Sequence, residues 1–263
     1  MRIAVVSPHA SNNGNTVLSM LIALELSSNG HKTCITHLKP KSNSFYSYFN
    51  FIGFQDKTST PTQIVKILKE GGLDADDISD YCKQITDDLE AFTNEADNFN
   101  QDDMTYMHEY MAKSFPHEHV VYDVDGDEIE EIKNIIQLCD VVVLNITQSI
   151  KEQQAFLENK DEYMALFEGK PLIVVINKYN SVKGTIKETA NWMGLKKPNK
   201  WLVLHENPWI AWGTNHGNIA QISRKMNEKD IRVIELKSDI SKICSTLGKA
   251  KALKNKRGGG WRK

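Results

Sequence analysis

An apolar run, Ile3-Ala4-Val5-Val6, leads directly into Ser7-Pro8-His9-Ala10-Ser11-Asn12-Asn13-Gly14-Asn15-Thr16, and an apolar helical run follows from Val17 to Leu26. Strand, glycine-containing loop and helix in that order is the layout of a phosphate-binding loop, where backbone N–H groups at a helix N-terminus face an anion. The usual pattern is G-x-x-x-x-G-K-[ST]. Here His9 stands where the first Gly belongs and Asn15 where the Lys belongs, while Gly14 and Thr16 are kept. The shape is specified and its principal charge is missing.

The rest of the chain sets this unit in a larger sheet. Gly30 ends the first helix, because Gly is favoured just past a helix C-terminus, and Thr33-Cys34-Ile35-Thr36 is a second strand. The spacing predicts helices over 62–72, stopped by Gly71-Gly72, and over 104–113. A short helix is expected to begin at Asp77, a strand at 89–93 and an exposed polar loop at 94–103. Val120-Val121-Tyr122 is a short buried strand ending at Asp123. Val141–Leu144 and Leu172–Ile176 are continuous apolar runs, the mark of central parallel strands covered on both faces. Trp201–Leu204 is a further strand. Ile231–Leu253 reads as a long helix, with Val233, Leu236, Ile240, Ile243 and Leu247 on one side. Strands alternating with helices predict an α/β fold with a doubly wound, mostly parallel sheet flanked by helices. We expect one domain over 1–253 and a basic flexible tail over 254–263. The aromatic segment 45–52 packs as core or forms a partner face.

Composition narrows the function classes. Cys34, Cys82, Cys139 and Cys244 lie far apart with no C-x-x-C pair, which argues against a cysteine metal site or a disulfide framework and suggests a reducing, cytoplasmic setting. No run of 18 apolar residues exists, and the chain enters a strand with no signal-peptide pattern before it. Of the 32 Lys and Arg, eight lie from Ser241 onward, where no Asp or Glu occurs, so an acidic body carries a basic tail. Such a tail suits anionic lipid, nucleic acid or an acidic partner, or is a solvated helix end. A Ser-based hydrolase would want G-x-S-x-G after a strand, and none is present. Asp123, Asp125 and Asp127 do not form a calcium loop, since Gly126 falls fourth rather than sixth. His117-Glu118-His119 can be read as metal ligands, with the two His sharing one face just before a strand, but no third ligand is evident.

The order of these features resembles the ParA/MinD family of P-loop ATPases, including its TadZ-like members from pilus and secretion systems, over nearly the whole chain. The family loop reads K-G-G-x-G-K-[ST]. On that pattern Ala10 and Asn15 replace its two lysines, and Thr16 would hold Mg²⁺. His37-Leu38-Lys39-Pro40-Lys41-Ser42-Asn43-Ser44 is similar to the family's D-x-D-P-Q-x-N-S stretch, with Lys39 in place of the acid that orients the attacking water. Lys39 or Lys41 either restores positive charge near the phosphates or is a surface lysine. Val120-Val121-Tyr122-Asp123-Val124-Asp125-Gly126 resembles the apolar strand whose Asp approaches Mg²⁺. Asn177-Lys178-Tyr179-Asn180 resembles the strand end that contacts adenine. The guanine version carries Asp where Asn180 stands, and an amide offers one acceptor oxygen only. Glu206-Asn207-Pro208-Trp209 resembles the loop beside the base.

The resemblance implies a nucleotide site of His9, Ser11, Asn12, Asn13, Gly14, Asn15, Thr16, Lys39, Asp123, Asn177, Lys178, Asn207 and Pro208, with Thr16 and Asp123 toward the metal. It implies ATP or ADP with Mg²⁺ as ligand. The catalytic positions are the altered ones, so hydrolysis is expected to be slow or absent. The expected role is a dimerising positioning or assembly factor of a secretion, pilus or conjugation system, with a protein partner in a larger assembly. The alternatives are an ATP-dependent partition protein for plasmid or mobile-element DNA and an adaptor that binds no nucleotide. Contact of the tail, Lys249–Lys263, with DNA or an anionic membrane would be weak and salt-sensitive.

Overall fold

The computed structural model describes residues 1–8, 13–37, 48–49, 61–72, 75–92, 101–125, 129–195 and 201–258. Among them, eight strands form a single sheet. These are β1 (Arg2–Ser7), β2 (Thr33–His37), β3 (Lys83–Thr86), β4 (Leu89–Phe92), β5 (His119–Asp125), β6 (Val141–Ile146), β7 (Leu172–Tyr179) and β8 (Trp201–His205). Their order across the sheet is β3-β4-β2-β5-β1-β6-β7-β8. All neighbours are parallel except β3 and β4, which pair antiparallel at the edge. The chain winds outward from β1 through β2 to one side, returns at β5, and then crosses β1 to β6, β7 and β8. The strand order therefore reverses beside β1, and in open parallel sheets the carboxyl ends of strands at such a reversal form the ligand crevice.

Alternation along the strands divides the core into two layers, because successive side chains of a strand point to opposite faces. Ile3, Val5, Ile35, Val121, Val143 and Val175 face one way. They meet helix α1 (Asn15–Ser28) and the two last helices, called α9 (Ile219–Asn227) and α10 (Ile234–Gly258) below. Ala4, Val6, Tyr122, Val142, Leu144 and Ile176 face the other way. They meet α2 (Pro61–Lys69), α3 (Gln101–Ser114), α4 (Ile129–Leu138), α5 (Ile150–Glu158) and α6 (Lys160–Leu166). Two shorter helices, α7 (Ile186–Trp192) and α8 (Pro208–Asn215), flank β8. Helix α1 is apolar around most of its circumference and is buried accordingly, with Leu18, Leu21 and Ile22 fully covered. Each such side chain contributes about 1.5–3 kcal/mol of burial.

Several local expectations change. Helix α3 begins at Gln101, so the last residues of the expected loop 94–103 are helical. Residues 75–81 form a 3₁₀ helix. Strand β3 was not foreseen, because it is a short polar edge strand. Of the aromatic segment 45–52, Phe49 is buried in the α1-side core with Tyr48 packed beside it, and the remaining residues lie outside the described set. Helix α10 continues through Gly258, into the segment expected as a tail. The four cysteines are free thiols, three of them buried. Among the described residues, no helix is long and apolar enough to cross a membrane.

Candidate functional site

The carboxyl ends of β1 and β5 and the start of α1 meet where the strand order reverses. Ser7 closes β1, and its hydroxyl accepts a bond from Asn13 Nδ2 at 2.6 Å. Asn13 Oδ1 in turn accepts the Asn15 backbone N–H at 2.8 Å, so one amide side chain ties the strand end to the first residue of the helix. Between them Gly14 takes a left-handed conformation, φ 75° and ψ 23°, which a residue without Cβ adopts at no steric cost. Its carbonyl then accepts the Leu18 N–H and opens α1. The first turn of α1 carries no acidic side chain, so the positive end of its dipole is not offset there.

Asn15 points inward. Its Nδ2 donates to Asp123 Oδ1 at 2.8 Å, to the Val5 carbonyl at 3.0 Å and to the Val124 carbonyl at 3.3 Å. Both Asn15 and Asp123 are buried. Asp123 Oδ1 also accepts from the Ser19 hydroxyl at 3.2 Å, and that hydroxyl back-bonds to the Asn15 carbonyl. The Asn15 amide is thus committed to the floor of the loop. Thr16, the next residue, is half-buried in the first turn of α1.

The far wall comes from β7. Asn177 Nδ2 donates to the carbonyls of Asn13 and Gly14 at 3.2 and 3.1 Å, holding the loop from above. Its Oδ1 accepts the Lys178 N–H at 2.8 Å. That bond accompanies a left-handed φ of 51° at Lys178. A Cβ built on Gly14 would lie 2.9 Å from Asn177 Nδ2 and 3.5 Å from Lys178 Cε, so the lysine stem runs beside the loop.

Asn13, Gly14, Asn15, Asp123, Asn177 and Lys178 are therefore brought together, from stretches up to 164 positions apart. Asn207 and Pro208 open a helix after β8. Asn207 Oδ1 caps α8 by accepting the Trp209 N–H, Pro208 starts that helix, and Asn207 Nδ2 donates to the Arg232 carbonyl. Asn180 likewise caps the 3₁₀ turn Ser181–Lys183. His9, Ser11, Asn12 and Lys39 lie outside the described residues. Sequence reasoning missed Ser7 and Ser19. Ser19 stands out as a hydroxyl one helical turn after Asn15, inside the otherwise apolar run from Val17 to Leu24.

Beyond the loop, Glu206 pairs with Lys183 at 3.2 Å, and the lysine holds its carboxyl below the usual range. His117 and His119, weighed above as ligands on one face, have different surroundings. His117 Nε2 meets Glu90 at 2.8 Å and its ring lies against Phe115, while His119 lies against the His31 ring.

No family model matches the sequence, and no curated protein matches it significantly. Solved structures match the fold. The septum site-determining protein MinD of Pyrococcus horikoshii, complexed with Mg-ADP, superposes with a TM-score of 0.66 at 12% identity over 97% of this chain and 99% of its own. The Aquifex aeolicus cell division protein MinD gives 0.68 at 11% identity over 93% and 97%. A plasmid partition protein from Borrelia burgdorferi gives 0.57 at 16% identity over 85% and 97%. The mostly parallel sheet flanked by helices is thus the fold of ParA/MinD-type P-loop ATPases.

Proposed function

We propose that this chain is an atypical ParA/MinD-like nucleotide-binding protein that dimerises and acts as a positioning or assembly factor, with hydrolysis slow or absent. The observation that carries this reading is the Asn15 amide, bound to Asp123 where an ammonium would otherwise meet the phosphates. The residues fit an anion in part. Gly14, the N-terminus of α1, Thr16 and the Asp123 carboxylate provide the backbone donors and the Mg²⁺-directed oxygens. Asn13, Asn177 and Lys178, with His9, Ser11, Asn12 and Lys39 from the loops and Asn207 and Pro208 after β8, complete the proposed site. ATP or ADP with Mg²⁺ is the proposed ligand. Loss of one charge-assisted contact costs about 1.5–3 kcal/mol, which weakens binding by roughly 10- to 100-fold.

In this reading the nucleotide acts by occupancy. It biases a dimer, and protein surfaces then engage a larger secretion, pilus or conjugation assembly. The test combines sedimentation with and without Mg-ATP and a phosphate-release assay. ATP-linked dimerisation without sustained release supports the proposal, and sustained release dependent on Thr16 overturns it. A second reading, ATP-dependent partition of plasmid or mobile-element DNA, is favoured by the acid-free basic end of the chain from Ser241. It predicts salt-dependent binding to non-specific DNA that is lost when residues 249–263 are removed.

A further inference from the structure

A second cluster lies at the opposite, amino-terminal edge of the sheet. His31 stands in the turn between α1 and β2, and Glu118 and His119 stand at the start of β5. Strands β2 and β5 are parallel neighbours with Thr33 opposite His119, and the His119 N–H bonds to the Lys32 carbonyl. That register brings a residue two positions before β2 against the first residue of β5. His31 Nδ1 lies 3.1 Å from Glu118 Oε2. The His31 and His119 rings meet edge-on with centroids 4.9 Å apart. One donor atom from each of the three residues falls within 4.8 Å of the others.

We propose that His31, Glu118 and His119 form a binding site for a divalent transition metal of the zinc class. Zinc takes imidazole nitrogens and carboxylate oxygens at about 2.0–2.2 Å in a tetrahedron, which sets donor–donor separations of roughly 3.3–3.6 Å. The His31–Glu118 separation of 3.1 Å is a few tenths of an ångström short of that range, and the third donor, within 4.8 Å, needs a shift of little more than 1 Å. The mobility for that shift is available, since the His31 and Glu118 side chains are 45% and 55% exposed while His119 is buried and fixed in the sheet. Two imidazoles and one carboxylate suit zinc, and a mixed nitrogen–oxygen set disfavours calcium and magnesium, which take oxygen only.

Three protein donors leave one tetrahedral position over. His31 and His119 both line a cavity of about 470 Å³ whose walls also include Met1, Glu25 and Cys244. The fourth position is thus open to water or to a small ligand with a donor group, as in zinc sites that are not purely structural. His119 is four residues before Asp123 on the same strand, so the site stands roughly 13 Å from the loop floor and is distinct from it.

The test is calorimetric titration of the full chain, carrying no histidine tag, with Zn²⁺ alone, and a parallel Co²⁺ titration read by its visible spectrum. The proteins are wild type, His31→Ala and Glu118→Gln. Both substitutions are at half-exposed side chains, so the fold is retained, and unchanged melting temperatures in EDTA verify this. The expected result is one metal per chain, tenfold or weaker binding in each variant, and a tetrahedral Co²⁺ spectrum lost in both. Absence of saturable one-to-one binding overturns the proposal. So does equal affinity in all three proteins, which would assign the metal to other histidines.

Discussion

Asn15 Nδ2 and Asp123 Oδ1 lie 2.8 Å apart, joining the first residue of α1 to the end of β5 across 108 positions of sequence. The pair is buried and shares its carboxylate with the Ser19 hydroxyl. Asp123→Ala removes the charged acceptor and leaves the Asn15 amide and the Ser19 hydroxyl with backbone carbonyls alone, at a cost of about 1–3 kcal/mol. Chemical denaturation will show a lower midpoint with an unchanged slope. Asp123→Asn, which keeps an acceptor oxygen, will recover part of the loss.

Gly14 and Asn177 form the second contact on which the loop depends. Gly14→Ala places a Cβ 2.9 Å from Asn177 Nδ2 on a backbone with φ 75°. The left-handed conformation alone costs a residue with Cβ about 1–2 kcal/mol. Adding Asn177→Ala removes the clash but not the backbone penalty. A double-mutant cycle on melting temperature will therefore be non-additive, with the double variant more stable than the sum of the single effects implies.

Glu25, Lys237 and Ser241 bind α1 to α10. The Glu25 carboxylate, 4% exposed, accepts from Lys237 Nζ at 2.6 Å and from the Ser241 hydroxyl at 2.7 Å. Lys237→Met strands a buried carboxylate and will destabilise by about 1.5–3 kcal/mol. Replacing both partners by apolar residues will recover much of that loss, because a buried pair offsets its own desolvation only narrowly. Thermal melts of the single and double variants give the comparison.

At the start of α7, Thr185 and Glu188 make reciprocal capping bonds. The Thr185 hydroxyl accepts the Glu188 N–H, and the Glu188 carboxylate accepts the Thr185 N–H at 2.7 Å. Thr185→Ala will cost about 1 kcal/mol. The two Thr185 donors hold the Glu188 carboxyl below its usual range. A carboxyl lowered on folding stabilises fully above its unfolded value, about 4.3, and loses that contribution as pH falls through the folded value. The stability gap between wild type and Glu188→Gln will therefore be widest near neutrality and close in acid, as denaturation at stepped pH will show.

The fold was legible because its central strands are apolar on both faces. Val141–Leu144 and Leu172–Ile176 each lie within the observed strands β6 and β7, and Gly30 stands just past α1 with φ 81°. Elements held by long-range contact were not legible. Strand β3 is mostly polar and owes its place to pairing with β4. At the site, the spacing located Gly14, Asn15 and Asp123, but nothing in it shows that Asn15 turns inward, because Val5, Asp123 and Val124 supply the acceptors. Asn207 and Pro208 matched a loop pattern and serve as a helix start, a task that Asn and Pro perform wherever a helix begins. The spacing marked Glu118 and His119 beside His117, but His31 joins them across 87 positions only through the β2–β5 register.

The proposed site has the Asn15 amide where a phosphate-binding loop carries its ammonium. Calorimetric titration of Mg-ATP into wild type and Asn15→Lys tests it most directly. Wild type will bind weakly and the variant roughly 10- to 100-fold more tightly, the value of one restored charge-assisted contact. Equal affinity in the two proteins, or sustained ATP turnover by wild type, would contradict the proposal.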